Sequence, residues 1–288
     1  MAEFNLTYYK DEDRYSDGNI EEVMLDMAKR GISYEELPRE DVSFPIIYHF
    51  SAMRENILNW YPFKEDASIL DIGAGCGAIT GLLCRRAKKV VVAELSKRRA
   101  SINYERNKQY ENLCIMVGNL NDMEFTEKFD YVVLNGVLEY AMSFTEGDTP
   151  YETFLENMGR FLKEDGRFLI AIENRLGLKY FAGAPEDHTD RYFLGLENYP
   201  GVDSVRTFSK KELKELLERS GFPCTKFYYP YPDYKFPKEI FTDETLAANG
   251  FGKPYRSLDG KRIPLFNESE AAHSLAAEGV ADIFSNSF

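Results

Sequence analysis

The sequence predicts an α/β fold in which a mostly parallel, seven-stranded sheet carries helices on both faces. Two observations lead to this prediction. Short apolar strands alternate with helical patterns through the middle of the chain, and one strand ends in a glycine-rich turn that opens a helix. Because each pair of parallel strands needs a crossover helix that packs on the sheet, the alternation implies that both faces are covered.

The glycine-rich turn makes the predicted fold Rossmann-like. It reads DIGAGCG over residues 71–77, and a helix is predicted over 77–86. Glycine suits this turn because a tight turn needs backbone angles that a Cβ penalises, and because a close ligand leaves no room for side chains. The following helix offers free N–H groups and a partial positive charge. Such a turn is a common cradle for a nucleotide-like ligand.

The remaining elements follow from apolar runs, capping residues and breakers. Besides 77–86, helices are predicted at 20–30, 51–60, 96–108, 150–162, 209–220 and 268–278. Sheet strands are predicted at 68–72, 89–94, 113–117, 129–134, 166–172 and 222–229, with antiparallel partners near 235–241 that complete the seven strands.

These elements predict three regions. Residues 1–62 form an N-terminal helical cover, and residues 63–241 form the ligand-binding core. An insertion at 174–207 follows the fifth strand of that core and is expected on the acceptor side. Residues 242–288 form a C-terminal extension, which we expect to precede a further domain.

Composition and charge exclude several function classes. The four cysteines show no Cys-x-x-Cys spacing, so neither a metal site nor a disulfide framework is expected, and a reduced, cytoplasmic protein is predicted. No apolar run approaches the ~20 residues of a membrane span, and the first residues lack the pattern of a signal peptide. The net charge of −13 disfavours nucleic acid as a partner.

Two ligand classes fit the glycine-rich turn. Gly73-x-Gly75-x-x-Ala78 matches the dinucleotide fingerprint, and Glu94 follows at the spacing of a ribose contact. S-adenosylmethionine (SAM) also needs an acidic residue after the second strand, and it adds an ammonium group. Asp71 favours SAM, because a carboxylate at the end of a buried strand is costly unless it is paired. Alternatively, Asp71 caps the loop through backbone N–H groups, and the two interpretations are compatible.

Four segments in order resemble class I SAM-dependent methyltransferases: 69–77, 90–96, 117–122 and 129–140. Asn119 departs from the family pattern, since many relatives have Asp there, but its side-chain oxygen could still accept from the adenine amino group. The resemblance implies that SAM is the cofactor and that it is held by Asp71, Gly73, Ala74, Gly75, Gly77, Glu94, Leu95, Asn119, Leu120 and Asn135.

Residues 173–188 resemble, less specifically, bacterial methyltransferase domains that occur beside glycosyltransferases and surface-polysaccharide genes. This resemblance implies a saccharide or another small-molecule acceptor. It also implies a downstream domain or a glycosyltransferase as a partner. A hydroxyl acceptor usually needs a base that removes its proton.

His188 is the first candidate base, because imidazole titrates near neutrality and the acids Glu186 and Asp187 adjoin it. Its segment is alternatively a turn with solvated acids. Glu139 is the second candidate, and it is alternatively a helix-start acid. Candidate acceptor-binding residues are Asn174, Arg175, Tyr231 and Tyr234, whose alternative roles are surface ion pairing and packing.

The function expected from the sequence is therefore methyl transfer from SAM to a small molecule or saccharide, at a hydroxyl. Two alternatives stay open. One is a nicotinamide-dependent oxidoreductase, which the dinucleotide-like fingerprint permits. The other is a non-catalytic SAM-binding module, since binding and catalysis use different residues.

Overall fold

The computed structural model describes residues 1–11, 16–249, 251, 257–258 and 261–288. The chain divides into two compact units. Unit 1 comprises Met1–Asn135 and Gly159–Leu169, and unit 2 comprises Gly136–Met158 and Ile170–Phe288.

A six-stranded sheet forms the centre of unit 1, and its order is β1-β4-β3-β2-β5-β6. The four pairs β1–β4, β4–β3, β3–β2 and β2–β5 are parallel. The strands are β1 (Glu3–Tyr8), β2 (Ser68–Ile72), β3 (Lys89–Glu94), β4 (Leu113–Gly118), β5 (Phe129–Asn135) and β6 (Leu162–Ala171). All five residues of β2 are buried, as expected for a central strand covered on both faces. The predicted α/β, Rossmann-like fold is confirmed.

Five helices accompany the sheet in the described part of unit 1: α1 (Ile20–Arg30), α2 (Phe44–Phe50), α3 (Asn56–Asn59), α4 (Thr80–Arg86) and α5 (Lys97–Asn107). Ser96 caps α5 by accepting a hydrogen bond from the N–H of Arg99. One buried apolar cluster includes Met24 and Met27 of α1, Ile46 of α2 and Ile102 of α5, together with Cys76 of the glycine-rich turn. The N-terminal helices therefore share a core with the turn.

The structure corrects the predicted N-terminal region and the strand count. Residues 1–62 are not only helical, because β1 opens the chain and adds a parallel edge strand beside β4. The tract predicted to supply the last sheet strands instead forms β7 (Tyr228–Tyr231) and β8 (Glu239–Thr242), a separate antiparallel pair in unit 2. Pro232, which directly follows β7, has no N–H to donate to a longer ladder.

Unit 2 is mostly helices and turns in its described part. Its helices are α6 (Ala141–Phe144), α7 (Pro150–Gly159, with Gly159 in unit 1), α8 (Leu178–Phe181), α9 (Lys210–Arg219), α10 (Asp243–Asn249), α11 (Glu268–Ala277) and α12 (Ala281–Phe284). A capping box between Ser209 and Glu212 starts α9. No helix in the described ranges is long and apolar enough to cross a membrane.

The last residues of the chain pair with the segment that follows β6. The N–H of Ile172 donates to the carbonyl of Phe288 over 3.1 Å, and the N–H of Asn174 donates to the carbonyl of Asn286 over 3.0 Å. Glu173 lies between these two pairs, opposite Ser287 in an antiparallel bridge. Residues 286–288 therefore fix the backbone that carries Glu173.

Candidate active site

The glycine-rich turn connects β2 to α4 in unit 1. Helix α4 begins at Thr80, three residues later than predicted, because residues 73–77 form turns with positive φ at each glycine. At Gly77 (φ 77°) an added Cβ would lie 2.2 Å from Asn103 Oδ1. That amide is fixed, since its nitrogen donates to Thr80 Oγ1 over 3.0 Å. The turn therefore packs against α5 with no space for a side chain at this position.

Glu94, at the end of β3, holds the turn from the other side. Its Oε2 accepts a 2.8 Å hydrogen bond from the N–H of Gly75, and its Oε1 accepts a 2.9 Å bond from the N–H of Ser96. The side chain is buried, and burial raises its pKa. Each carboxylate oxygen can accept more than one hydrogen bond. Glu94 can therefore hold the turn and still accept from a ligand hydroxyl.

Asp71, in β2, is buried and incompletely paired. It is 1% exposed, and its Oδ2 has no hydrogen-bond partner among the described residues. Burial, with a smaller contribution from the nearby Glu94, raises the pKa of Asp71 to about 8. A buried carboxyl without a partner costs free energy. A ligand that brings an ammonium group would compensate that cost.

A charged network that the sequence did not suggest supports the turn within unit 1. Arg99 donates to Asp17 Oδ2 over 2.6 Å and to Glu21 Oε1 over 2.9 Å. His49 lies 3.0 Å from the same Asp17 oxygen, and burial lowers its pKa. Arg106 donates to the carbonyl oxygens of His49 and Cys76 over 2.8 and 2.6 Å. Nothing in the spacing of these residues indicated the network, because its members are far apart in sequence.

The other predicted SAM-binding residues of unit 1 lie at strand ends and in turns. Asn119 is exposed, and its Oδ1 accepts a 3.0 Å hydrogen bond from the N–H of Asn121, so its oxygen caps a turn. Asn135 ends β5, and its Oδ1 is buried without a hydrogen-bond partner among the described residues. Partly buried positions are occupied by Ala74, Leu95 and Leu120. Asn135 thus joins Asp71 as a polar group with an open hydrogen-bonding position.

The two candidate catalytic residues come together in unit 2. His188 Nε2 lies 3.5 Å from Glu139 Oε1, and it lies 3.9 Å from Oε2 of Glu173, which the sequence had not suggested. His188 Nδ1 lies 2.8 Å from Glu186 Oε1. Glu139 follows β5, and Glu173 follows β6. Just beyond the end of β5, the N–H of Gly136 donates to the carbonyl of Ala171, the last residue of β6, over 2.9 Å. We call Glu139, Glu173 and His188 the Glu–Glu–His cluster.

The charges of this cluster interact strongly. Burial disfavours the imidazolium, but the carboxylates of Glu173, Glu139 and Glu186 outweigh burial and hold the pKa of His188 well above its usual range. Burial raises the pKa of Glu139, although His188 opposes it. Burial acts in the same direction on Glu173, but Lys235 and His188 outweigh it and lower the pKa of that carboxyl. The histidine is thus held as a cation between acids.

The four candidate acceptor residues divide into two pairs. Asn174 donates to the carbonyls of Ile283 and Ser285 over 2.8 and 2.7 Å, and Arg175 is paired with Glu212 over 2.6 Å. The side chains of Asn174 and Arg175 therefore bind other parts of the same chain. Tyr234 donates to Glu173 Oε1 over 3.2 Å, so it belongs to the Glu–Glu–His surroundings. Tyr231 is buried and stacks on Phe251, with ring centroids 4.5 Å apart.

Comparison with known proteins agrees with the geometry of unit 1. Residues 70–170 match a family model described as a methyltransferase domain. A probable ribosomal RNA small subunit methyltransferase A of Methanosarcina acetivorans is 42% identical over 76 residues, which cover 26% of this chain and 27% of the relative. A malonyl-[acyl-carrier protein] O-methyltransferase of Priestia megaterium is 20% identical over 177 residues, 61% of this chain and 60% of the relative.

Solved structures give similar matches. A phosphoethanolamine N-methyltransferase 1 of Haemonchus contortus, in complex with phosphoethanolamine and S-adenosylhomocysteine, is 23% identical, with a TM-score of 0.40 over 53% of this chain and 33% of the other. A putative methyltransferase from Bacillus halodurans is 19% identical, with a TM-score of 0.43 over 63% and 76% of the two chains. The chain spans between 27% and 34% of the length of the ribosomal RNA methyltransferases it matches.

Residues 70–170 therefore match a methyltransferase domain, which is consistent with SAM as the cofactor. The family match includes Asp71, the glycine-rich turn, Glu94 and Asn135. The oxidoreductase alternative loses its support, because the glycines with dinucleotide-like spacing lie inside the residues that match a methyltransferase domain.

Proposed function

We propose that this chain transfers the methyl group of SAM to a hydroxyl of a small molecule, a saccharide in the first instance, by in-line displacement. The observation that carries the proposal is Asp71, a buried carboxyl with an unpartnered oxygen two residues before a turn that Glu94 holds. When it is bound, SAM supplies an electrophilic methyl group on a sulfonium. The chain must hold that group and the acceptor at reacting distance and exclude water.

The residues of unit 1 fit SAM by their chemistry. Asp71 would pair with the ammonium of its methionine part, and Glu94 would accept from the ribose hydroxyls. Asn119 would accept from the adenine amino group, and Asn135 has an open acceptor for a further ligand donor. Binding would also involve Gly73, Ala74, Gly75, Gly77, Leu95 and Leu120. Asp71 and Glu94 offer hydrogen-bond acceptors to the ligand. A site for phosphates would instead need hydrogen-bond donors.

We propose that His188 and Glu139 act as a pair in removing the proton of the acceptor hydroxyl. Because the surrounding acids hold His188 as a cation, Glu139 would accept the proton and His188 would position that carboxylate. They face each other over 3.5 Å, and Glu186 fixes the imidazole from its Nδ1 side. Tyr234 and Tyr231 would line the acceptor position as stacking walls. Asn174 and Arg175 could contact an acceptor only by exchanging the bonds that they make within the chain.

The proposal also includes the compartment, the partner and the acceptor of the reaction. The four cysteines are free, which suits a reducing, cytoplasmic compartment. A saccharide acceptor would place the chain in polysaccharide synthesis, with a glycosyltransferase or a downstream domain as partner. Ribosomal RNA is a second candidate acceptor, because RNA methyltransferases match at 42% identity over 26% of this chain. The net charge of −13 weighs against it.

The test measures SAM binding and methyl transfer separately. Titration with S-adenosylhomocysteine should show one site, and Asp71→Asn should weaken binding strongly while the exposed control Asp66→Asn binds as the wild type does. Labelled SAM is then incubated with nucleotide sugars and oligosaccharides, with phosphoethanolamine, and with ribosomal RNA. Label on a saccharide hydroxyl supports the proposal. Label on RNA or on an amine overturns the proposed acceptor, and binding without transfer to any acceptor supports the non-catalytic alternative.

A further inference from the structure

Two buried carboxylate oxygens of unit 2 have an open position for a ligand. Oε2 of Glu139 and Oε2 of Glu173 have no hydrogen-bond partner among the described residues, although the two residues are 1% and 0% exposed. The free energy lost by burying such groups is large unless a partner compensates it. The open oxygens are therefore positions that a ligand between these acids would fill.

The spacing of the Glu–Glu–His cluster fits a shared ion better than direct hydrogen bonds. His188 Nε2 is 3.5 Å from Glu139 and 3.9 Å from Glu173, and one donor atom from each of the three residues lies within 4.8 Å of the others. A charge-assisted N–H···O bond is about 2.7–2.9 Å long. Donor atoms that each lie about 2.0–2.2 Å from one metal ion are separated by roughly 3–3.5 Å. A small inward movement of the two carboxylates would complete such a site.

The other side of the imidazole is held as it is in metal-binding histidines. Nδ1 lies 2.8 Å from Glu186 Oε1, and Oε2 of Glu186 accepts from the N–H groups of His188 and Thr189, each over 2.9 Å. The hydroxyl of Tyr199 donates to Glu186 Oε1 over 3.2 Å. A carboxylate on the outer nitrogen of a histidine fixes the ring and directs Nε2 to a metal ion.

The charges around the cluster also favour a bound cation. Glu173 contacts Lys235 over 2.6 Å, and Asp187 contacts both Lys235 and Lys179, the latter over 2.8 Å. Together with Glu139 and Glu186, four carboxylates therefore meet two ammonium groups. A metal ion at Nε2 would displace the proton that His188 carries in its absence. With that neutral imidazole, two negative charges remain among these groups, which one divalent cation would balance.

We propose that Glu139, Glu173 and His188 bind one divalent transition-metal ion, with Glu186 orienting the histidine. Mixed carboxylate and imidazole donors suit Zn²⁺ or Mn²⁺. The expectation of no metal site came from cysteine spacing, which says nothing about an oxygen and nitrogen site. The role of the ion rests on the proposed function: it would favour the ionised form of the acceptor hydroxyl. His188 and Glu139 would then act on the acceptor through the ion.

Metal binding is tested without SAM or acceptor. Chelator-treated protein is titrated calorimetrically with ZnCl₂ and MnCl₂, and the Mn²⁺ sample is followed by electron paramagnetic resonance. We expect one ion per chain in the wild type. Glu173→Gln and His188→Gln should abolish saturable binding, and Glu186→Gln should weaken it about 10- to 100-fold. His273→Gln and Glu215→Gln, which change a histidine and an acid outside the cluster, should bind as the wild type does.

The wild-type titration decides the inference even if a variant fails to fold. No saturable site in the wild type, or equal binding in folded Glu173→Gln and wild type, would overturn it. Failure of metal binding leaves the proposed methyl transfer intact, because His188 and Glu139 can act without an ion. Metal binding together with no methyl transfer would refute the proposed function and keep the metal site.

Discussion

The N–H of Gly75 donates a 2.8 Å hydrogen bond to Oε2 of Glu94, so the acid after β3 fixes the turn after β2. The register of β2 and β3 brings them together, since Asp71 is opposite Val92 and Ile72 is opposite Ala93. The glycine-rich turn and Glu94 are therefore fixed to each other before any ligand binds.

Glu94→Ala should disrupt this assembly. It removes both acceptors for the Gly75 and Ser96 N–H groups, and hydrogen bonds to charged groups contribute about 1.5–3 kcal/mol each. We expect S-adenosylhomocysteine affinity to fall about 100-fold or more. Isothermal titration measures it, with the exposed Glu111→Ala as control. Unchanged affinity in a folded Glu94→Ala would show that neither the bond between this acid and the turn nor the acid itself contributes to ligand binding.

Binding of S-adenosylhomocysteine should depend on pH through Asp71. Its pKa is about 8 in the protein without ligand, so the carboxyl must lose a proton before it pairs with an ammonium group. Affinity should therefore rise between pH 6 and 8, and binding should release a proton. Titration in two buffers of different ionisation enthalpy counts that proton. Asp71→Asn should abolish the release, and release that persists in this variant would assign it to another group.

The same carboxyl should lower the stability of the ligand-free protein as pH rises. An unfolded Asp ionises near pH 3.9, whereas the folded Asp71 ionises near 8. Between these values the unfolded state binds fewer protons, so the free energy of unfolding falls with rising pH. Asp71→Asn should therefore stabilise the protein more at pH 8 than at pH 5. Urea unfolding at both pH values measures the difference, and an equal effect at both would contradict the raised pKa.

Gly77→Ala should affect the turn through contact as well as backbone strain. The left-handed backbone costs a non-glycine residue about 1–2 kcal/mol, and the new Cβ would also meet Asn103 Oδ1 at 2.2 Å. Gly279→Ala is a matched control, because Gly279 has a φ of 72° and open space around it. Unfolding of both variants should show Gly77→Ala as the more destabilised. Only Gly77→Ala should lose ligand affinity, and equal losses would refute the packing argument.

Glu21→Gln tests the buried network under the turn. Glu21 is fully buried and pairs with Arg99, so the change leaves a buried guanidinium with one carboxylate fewer. Loss of one partner of a buried ion pair costs about 3–5 kcal/mol. Asp26→Asn removes the exposed Asp26–Arg30 pair and should cost less than about 1 kcal/mol. Denaturant unfolding compares them, and similar costs would show that solvent screens the network.

The sequence predicted the sheet because strands rest on local patterns. The SAM-binding positions were assigned from patterns of the same kind and stay predictions. Apolar runs, the glycines and the acids at strand ends lie within a few residues of the elements that they define. Asp71 was assigned from its place before the turn. It is buried, with one carboxylate oxygen unpartnered among the described residues, and its contact with SAM stays a prediction.

The parts that the sequence did not predict depend on contacts between distant residues. Glu173 meets His188 and Lys235 only because the chain folds back after β6 and the C-terminus pairs with it. Arg99 has the same local pattern as an exposed basic residue, yet it is buried against Glu21. Strand β1 was not predicted, because its alternation is weak and its partner β4 is about a hundred residues later.

Strand β1 also protects the sheet from unwanted association. It covers β4, an almost wholly apolar strand whose free edge would be a template for pairing with other chains. Gly118 allows the end of β1 to lie close to the end of β4, because a Cβ at this position would lie 2.2 Å from the carbonyl oxygen of Tyr8. The new edge is short, carries Glu3 and shifts register between Asn5 and Tyr8. The first eight residues thus replace an aggregation-prone border with one that a neighbouring molecule cannot easily extend.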